Sequence, residues 1–211
     1  MASKVRRGLY AITDDVLTAP YELLFLVEQA ILGGAVMVQF RTKILDAALK
    51  LRQATDLAAL CRRHDVPLII NDDVLLAAKV GADGVHVGKD DHALKAARAI
   101  LGDDAIIGVS CYNELARAQQ AKTAGADYVA FGRFFSSQTK PLAAQAEIAL
   151  LIQARRLDLP VAAIGGITLD NAQTLIGAGV DLLAVVQGLF GQPDVLRAAQ
   201  QFTACMGDTN T

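Results

Sequence analysis

Cysteine is scarce in this 211-residue chain. Cys61, Cys111 and Cys205 are odd in number, far apart and without a C-x-x-C pair, which excludes a disulfide framework and a zinc knuckle. Histidine is equally sparse, and His64, His86 and His92 form no H-x-x-x-H pair. Charge of one sign is missing too. With 20 Lys+Arg against 22 Asp+Glu the net charge is −2, so neither nucleic acid nor an anionic membrane is expected as a partner. No uninterrupted apolar run approaches the roughly 20 residues of a membrane helix. At the start, Asp14 and Asp15 cut the apolar stretch short before a signal-peptide core could form. A soluble, cytoplasmic protein is the expectation.

What the chain does have is apolar material, 53% of its residues. At this length roughly 70% of the unfolded surface can be buried. That rules out disorder and a small stapled scaffold. No Pro/Gly/Ser-rich linker or shift in composition divides the chain, so residues 1–211 read as one domain with a loosely ordered tail from about 207.

A weak echo runs through it. Gly33-Gly34-Ala35-Val36, Gly81-Ala82-Asp83-Gly84, Gly125-Ala126-Asp127-Tyr128 and Gly179-Val180-Asp181-Leu182 share one shape. Each ends an amphipathic stretch at glycine and opens a short β-prone run with little polar interruption, as a strand covered on both faces should. Filling the intervals predicts strands near 8–12, 36–40, 67–70, 84–87, 106–110, 128–131, 161–165 and 182–186. Helices are predicted near 21–32, 46–64, 74–80, 92–101, 114–124, 145–156, 170–178 and 194–205. Eight strand–helix pairs in this length match an α/β fold, a (β/α)₈ TIM barrel. A doubly wound open sheet is the runner-up, because periodicity does not show closure.

In a barrel the active site forms at the carboxyl ends of the strands. Strand 2 runs into Gln39-Phe40-Arg41-Thr42-Lys43, strand 3 into Asn71-Asp72-Asp73 and strand 4 into Gly88-Lys89-Asp90-Asp91. Strand 5 ends at Ser110, and strand 6 opens a long connection, 132–142, with the length of a lid and containing Lys140. The opposite loops read as plain turns. Asp72 and Asp91 follow consecutive strands, a placement suited to Mg²⁺ with its preference for hard oxygen donors. Their bland alternative is helix capping by Asp72 or Asp73 and by Asp90 or Asp91. Arg41 and Lys43 alternate at a strand end and with Lys140 would form a basic arc, although a lone cation is usually solvated surface. Acids with Mg²⁺ facing cations describe a diphosphate pocket better than an acid–base pair. Gly165-Gly166 after strand 7 and Val186-Gln187-Gly188 after strand 8 fit the phosphate grip of this fold, or simply tight turns.

Other signatures fail. The run Gly84 to Asp90 is one residue short of a P-loop, and no G-x-G-x-x-G follows a strand. Ser110-Cys111 has no elbow motif and no evident base. His86, in an apolar strand, reads as packed or hydrogen-bonded.

Taken together, Gln39-Phe40-Arg41-x-Lys43, Ile70-Asn71-Asp72, Gly84-Val85-His86-Val87-Gly88-x-x-Asp91, Gly108-Val109-Ser110, Thr139-Lys140 and Ile164-Gly165-Gly166-Ile167 resemble the thiamine-phosphate synthase family. They stand in that family's order from about residue 8 to 190. The resemblance implies a transferase that couples the diphosphate of 4-amino-5-hydroxymethyl-2-methylpyrimidine to a thiazole phosphate, releasing pyrophosphate. It implies that Gln39, Arg41, Lys43, Asn71 and Lys140 contact the pyrimidine diphosphate, that Asp72 and Asp91 hold Mg²⁺, and that Ser110 lies near the pyrimidine. Ser137, Thr139, Gly166 and the Val186–Gln187 backbone would hold the thiazole phosphate. If C–O cleavage runs ahead of attack, the cations and Mg²⁺ stabilise the departing diphosphate, with Arg41, Lys43, Ser110 and Lys140 as the catalytic set. The thiazole nitrogen already has a lone pair, so no base is required.

The chain departs from the family at Ser110-Cys111-Tyr112-Asn113, Ser136-Ser137-Gln138-Thr139-Lys140, Arg133 and Gln187, which touches the thiazole half more than the diphosphate half. Three alternatives stand beside this reading. A related thiazole tautomerase would not need the cation arc, a non-catalytic phosphate-binding barrel would release no pyrophosphate, and a phosphosugar isomerase or aldolase would want an interior Glu or Lys. The sequence leaves a homo-oligomer open.

Overall fold

Alternation along the first strand already divides the core in two. In β1 (Gly8–Ile12), Tyr10 and Ile12 pack with Met37, Ile69, Ile106, Tyr128, Ala162 and Leu182, whereas Leu9 and Ala11 pack with residues of the surrounding helices. Successive side chains of a strand face opposite sides, so one apolar layer fills the barrel axis and a second lies between sheet and helices. The computed structural model describes residues 4–88, 91–136 and 146–207, with backbone alone at 91 and 92.

Seven further parallel strands follow: β2 (Ala35–Phe40), β3 (Leu68–Asn71), β4 (Gly84–Val87), β5 (Ile106–Tyr112), β6 (Tyr128–Gly132), β7 (Val161–Ile164) and β8 (Leu182–Val185). They pair in sequence order, and β8 returns to β1 through Gly8↔Leu182 to Ala11↔Val185. That last pairing closes the barrel and removes the open-sheet alternative. The helices are α1 (Leu23–Leu32), α2 (Ala47–Arg63), α3 (Val74–Val80), α4 (Asp91–Leu101), α5 (Leu115–Thr123), α6 (Ile148–Ala154), α7 (Leu169–Gly177), α8 (Gln187–Phe190) and α9 (Val195–Met206). Among the described residues no helix is long and apolar enough to cross a membrane.

Aspartates start several of these helices. Asp46 accepts the Ala48 and Leu49 amides at 2.9 and 3.0 Å, and Asp194 accepts the Arg197 amide at 2.9 Å. Both satisfy donors that a helix start leaves unpaired.

The sequence echo has a physical meaning at the amino ends of the strands. Asp83, Asp127 and Asp181 each stand just before or at the start of an even-numbered strand. Their carboxylates accept the amides of Leu68, Ile107 and Val161, each at 2.8 Å. Their own amides donate back to the carbonyls of the same three residues. Each aspartate thereby staples its strand to the preceding one. The first copy has Ala35 in place of aspartate, and there the β1–β2 register shifts between Leu9 and Tyr10.

The barrel axis is filled by a few large rings opposite small residues. A Cβ at Gly108 would lie 2.0 Å from Tyr128 Cζ. The missing side chain is what lets the Tyr128 ring cross the axis and meet Tyr10 edge-on, with centroids 5.9 Å apart at 82°.

Candidate active site

At the carboxyl ends of β1 and β2, Thr13 is the brace. It is 1% exposed. Its hydroxyl accepts the Arg41 amide at 2.9 Å and donates to the Arg41 carbonyl at 3.2 Å, while its own amide donates to Gln39 O at 3.0 Å. Asp15 adds a second tie by accepting the Lys43 amide at 2.7 Å. The β2 exit is therefore fixed by backbone bonds. Arg41 is half-buried and Lys43 exposed, and among the described residues neither makes an ion pair. Two cations without a counter-ion among the described residues suit an anionic ligand.

The acids divide their duties. Asp73 caps α3, accepting Leu76 N at 2.9 Å, and binds Lys50 Nζ at 2.6 Å. Burial opposes its charge, but the Lys50 ammonium and the Leu76 amide hold its carboxyl below the usual range. Asp72 takes no part in the cap. It sits in the left-handed region at φ 61°, where aspartate is one of the few residues tolerated. Its carboxylate accepts Asn71 Nδ2 at 2.8 Å, and one oxygen lies 4.0 Å from a Cβ built on Gly88. Asp72 thus reaches toward the end of β4. With Thr42, Asn71 and Lys50 it lines a hollow of about 540 Å³ at this face. A second hollow, of about 420 Å³, opens at the opposite end of the barrel between Lys4, Arg6, Arg62 and Asp83 and contains none of these residues.

Gln39, 3% exposed, and His86, 8% exposed, lie at the floor of the mouth. The Gln39 amide nitrogen donates to Tyr10 OH at 2.6 Å, and Tyr10 OH lies 2.8 Å from Tyr128 OH. Tyr128 OH is 2.9 Å from His86 Nδ1, and His86 Nε2 is 2.9 Å from Ser110 Oγ. The expectation of a hydrogen-bonded His86 agrees with this geometry. The expectation that Ser110 has no base nearby is corrected: His86 is on the adjacent strand, 24 residues upstream, and only the β4–β5 register brings the two together. A phenol, not a carboxylate, faces the other nitrogen of that imidazole.

On the far side, Gly165 and Gly166 do more than turn. Gly166 has φ 65°, and a Cβ there would lie 2.3 Å from Ser136 O; at Gly165 it would lie 2.3 Å from Arg133 Cβ. The start of the long β6 loop lies directly on them, with Phe134 N donating to Ile164 O and Phe135 N to Gly165 O. After β8 comes α8, a short helix where a loop was predicted; its glycines and the lack of a full turn-to-turn apolar pattern hid it. Val186 precedes α8 and Gln187 begins it, with the Gln187 side chain folded back over Gly191. A short helix after the eighth strand is a regular part of phosphate sites in this fold. Ser137, Thr139 and Lys140 lie outside the described residues, as do the side chain of Asp91 and the tail beyond 207. Gln39, Arg41, Lys43, Asn71, Asp72, Ser110, Gly166, Val186 and Gln187 all belong to one face of the barrel. Thr13, Asp15 and Lys50 join them without any motif having marked them, and Tyr10 and Tyr128 support the floor from the barrel axis.

A closed (β/α)₈ barrel with its polar groups gathered at the carboxyl ends of the strands defines a barrel enzyme. Residues 9–189 match the family model described as thiamine monophosphate synthase. The chain is 54% identical to thiamine-phosphate synthase of Marinobacter nauticus, covering 93% of this chain and 89% of that one. It is also 54% identical to that of Thiobacillus denitrificans, covering 92% of each. Among solved structures it superposes on thiamine phosphate pyrophosphorylase from Pyrococcus furiosus with a TM-score of 0.86 at 32% identity, covering 97% of each chain. The chain belongs to the thiamine monophosphate synthase family. Its reaction is the coupling of the hydroxymethylpyrimidine diphosphate to a thiazole phosphate, giving thiamine phosphate and pyrophosphate.

Proposed function

We propose that the β2–β3 side of the mouth binds the pyrimidine diphosphate and drives its departure, while the β7–β8 side holds the thiazole phosphate. The observation that carries this is that Arg41 and Lys43, without ion-pair partners among the described residues, leave β2 next to the exit of β3, where Asp73 has relieved Asp72 of capping. Gln39 and Asn71 add neutral hydrogen-bonding groups on the same side, and Ser110 faces the pyrimidine. Lys140, outside the described residues, is the third cation assigned to the diphosphate.

The residues present suit Mg²⁺. Asp72 offers an exposed carboxylate that, among the described residues, accepts one side-chain bond, from Asn71, and Asp91, at the first turn of α4, would be the second ligand. Held by two carboxylates, such an ion would take the rest of its oxygens from substrate and water. Bound there, Mg²⁺ would neutralise diphosphate charge and make it a better leaving group.

The chain's own groups do the rest. Arg41, Lys43 and Lys140 stabilise charge as it develops on the departing diphosphate, an interaction that strengthens along the reaction. The pyrimidine amino group delocalises the positive charge left at the methylene carbon. The thiazole nitrogen attacks with its lone pair, so no residue has to remove a proton. Gly166, the Val186–Gln187 backbone, Ser137 and Thr139 would fix the thiazole phosphate on the opposite side, aligning that nitrogen. A thiazole tautomerase would have no use for the paired cations and the free Asp72. We also place the reaction in the cytoplasm, where buried thiols outside any disulfide, such as Cys61, are ordinary.

The experiment is direct. Purified protein with Mg²⁺ and both substrates should yield thiamine phosphate and pyrophosphate in equal amounts, and a chelator should stop it. Folded protein that binds both substrates and releases no pyrophosphate would remove the proposal.

A further inference from the structure

The floor of the mouth contains a continuous line of five side chains running across the barrel: Gln39, Tyr10, Tyr128, His86 and Ser110. Its four links measure 2.6, 2.8, 2.9 and 2.9 Å. A phenol has one proton to donate, and a neutral imidazole has one donor and one acceptor nitrogen. The Tyr10–Tyr128, Tyr128–His86 and His86–Ser110 links can each run either way, so the line takes one of two directions, and the orientation of the Gln39 amide selects which. The Gln39 amide nitrogen faces Tyr10, so the Tyr10 oxygen is the acceptor there and its proton goes on to Tyr128. Tyr128 must then give its own proton to His86 Nδ1. With Nδ1 accepting, the neutral ring carries its hydrogen on Nε2, which donates to Ser110 Oγ.

We infer that this chain is a one-way positioning device: Tyr10 and Tyr128 lock His86 as the neutral Nε2–H tautomer and turn the Ser110 hydroxyl proton outward into the mouth. Ser110 then presents a donor, suited to a ring nitrogen, to the heterocycle above it. In the reverse direction Ser110 would spend its proton on His86 and present only lone pairs, suited to an amino group. Burial keeps both phenols protonated, pushing Tyr10 and Tyr128 well above the ordinary phenol range, and the T-shaped Tyr10–Tyr128 contact fixes their rings. Gln39 also lies two residues before Arg41, on the strand Thr13 braces, so the orientation of Ser110 is tied to the side of the mouth that meets the diphosphate. The role of Ser110 toward substrate rests on the function proposed above; the tautomer of His86 does not.

The test is ¹⁵N NMR of the histidine side chains in the intact protein at neutral pH, with the His86 signal assigned by its loss in His86→Gln. The wild type should show His86 as a neutral ring with the proton on Nε2. An Nδ1–H ring or an imidazolium overturns the inference. Tyr128→Phe removes the donor to Nδ1 and should abolish the tautomer preference; an unchanged signal also overturns it. Gln39→Glu replaces the amide donor with an acceptor and should invert the tautomer to Nδ1–H, which keeps the idea testable if Tyr128→Phe does not fold. In turnover, Tyr128→Phe should lower kcat/KM for the pyrimidine diphosphate about five- to tenfold and leave inhibition by pyrophosphate unchanged, because pyrophosphate reads the Arg41–Lys43 side. An equal loss of pyrophosphate affinity would mean general damage and would count against it. Absence of coupling in the wild type would strike the proposed function, while the NMR result would still decide the inference.

Discussion

Asp73 caps α3 through the Leu76 amide at 2.9 Å, and its neighbour Asp72 turns away at φ 61° to meet Asn71. Two adjacent acids that read alike in the sequence thus have opposite duties. Asp73→Ala should cost about 1 kcal/mol, the usual worth of a cap, or roughly 2–4 °C in Tm for a chain of this size. Asp72→Asn keeps a residue that tolerates the left-handed conformation and removes only the charge. It should leave Tm nearly unchanged and reduce turnover by about 100-fold or more. Thermal melts and initial rates on the two variants check this; a large Tm loss with normal turnover in Asp72→Asn would reverse the assignment.

The Asp73–Lys50 contact sets a pH dependence for stability. The folded-state carboxyl of Asp73 lies below its unfolded value, so its contribution is fully present above the unfolded pKa, about 3.9. It is lost as the pH falls through the lower folded value. Asn is itself a good cap, so Asp73→Asn isolates the charge. Urea midpoints of wild type and Asp73→Asn should differ at pH 7 and converge toward pH 2–3. A gap that widened in acid would contradict the sign.

Thr13 offers a test of the brace beneath Arg41. Thr13→Val preserves shape but leaves the partly buried Arg41 amide without its acceptor, at a cost of about 1–3 kcal/mol. The β2 exit should loosen, raising KM for the pyrimidine diphosphate about tenfold with a smaller change in kcat. Thr13→Ser should restore it. An unchanged KM in Thr13→Val would show that the brace does not position the cation.

What the sequence made legible was whatever repeats or alternates. The four glycine-bounded segments, the near-continuous apolar strands and the cluster of charge after β2, β3 and β4 follow from periods of 2 and 3.6, and those survive in a single sequence. Strand edges fell within a residue or two, and β1 and β4 match the predicted limits. Closure did not show, since it rests on the pairing of Gly8–Ala11 with Leu182–Val185. Nor could the text separate Asp72 from Asp73, because the difference is a backbone angle. The line from Gln39 to Ser110 joins residues 10, 39, 86, 110 and 128, contributed by five strands, and no local pattern announces it. Thr13 and Lys50 were invisible for the same reason: their partners are 28 and 23 residues away.

The aspartate staples at the other end of the barrel give a control on these site variants. Asp181 accepts Val161 N at 2.8 Å and donates its own amide to Val161 O at 2.9 Å. Asp181→Ala keeps the second bond and leaves the Val161 amide unpaired, which should cost about 1–3 kcal/mol, or roughly 2–12 °C in Tm. Asp127 performs the same service for Ile107 and also binds Arg98 at 2.7 Å and Lys4 at 3.4 Å. Asp127→Ala should therefore be the more damaging of the two, because it also leaves Arg98 and Lys4 with backbone carbonyls in place of a carboxylate. Both aspartates stand at the amino ends of strands, and the reaction occupies the carboxyl ends. Below their lowered melting temperatures both variants should retain wild-type kcat and KM for each substrate. A change in KM at the mouth, with Tm intact, would mean that the two ends of the barrel are coupled and that the staples do more than hold register.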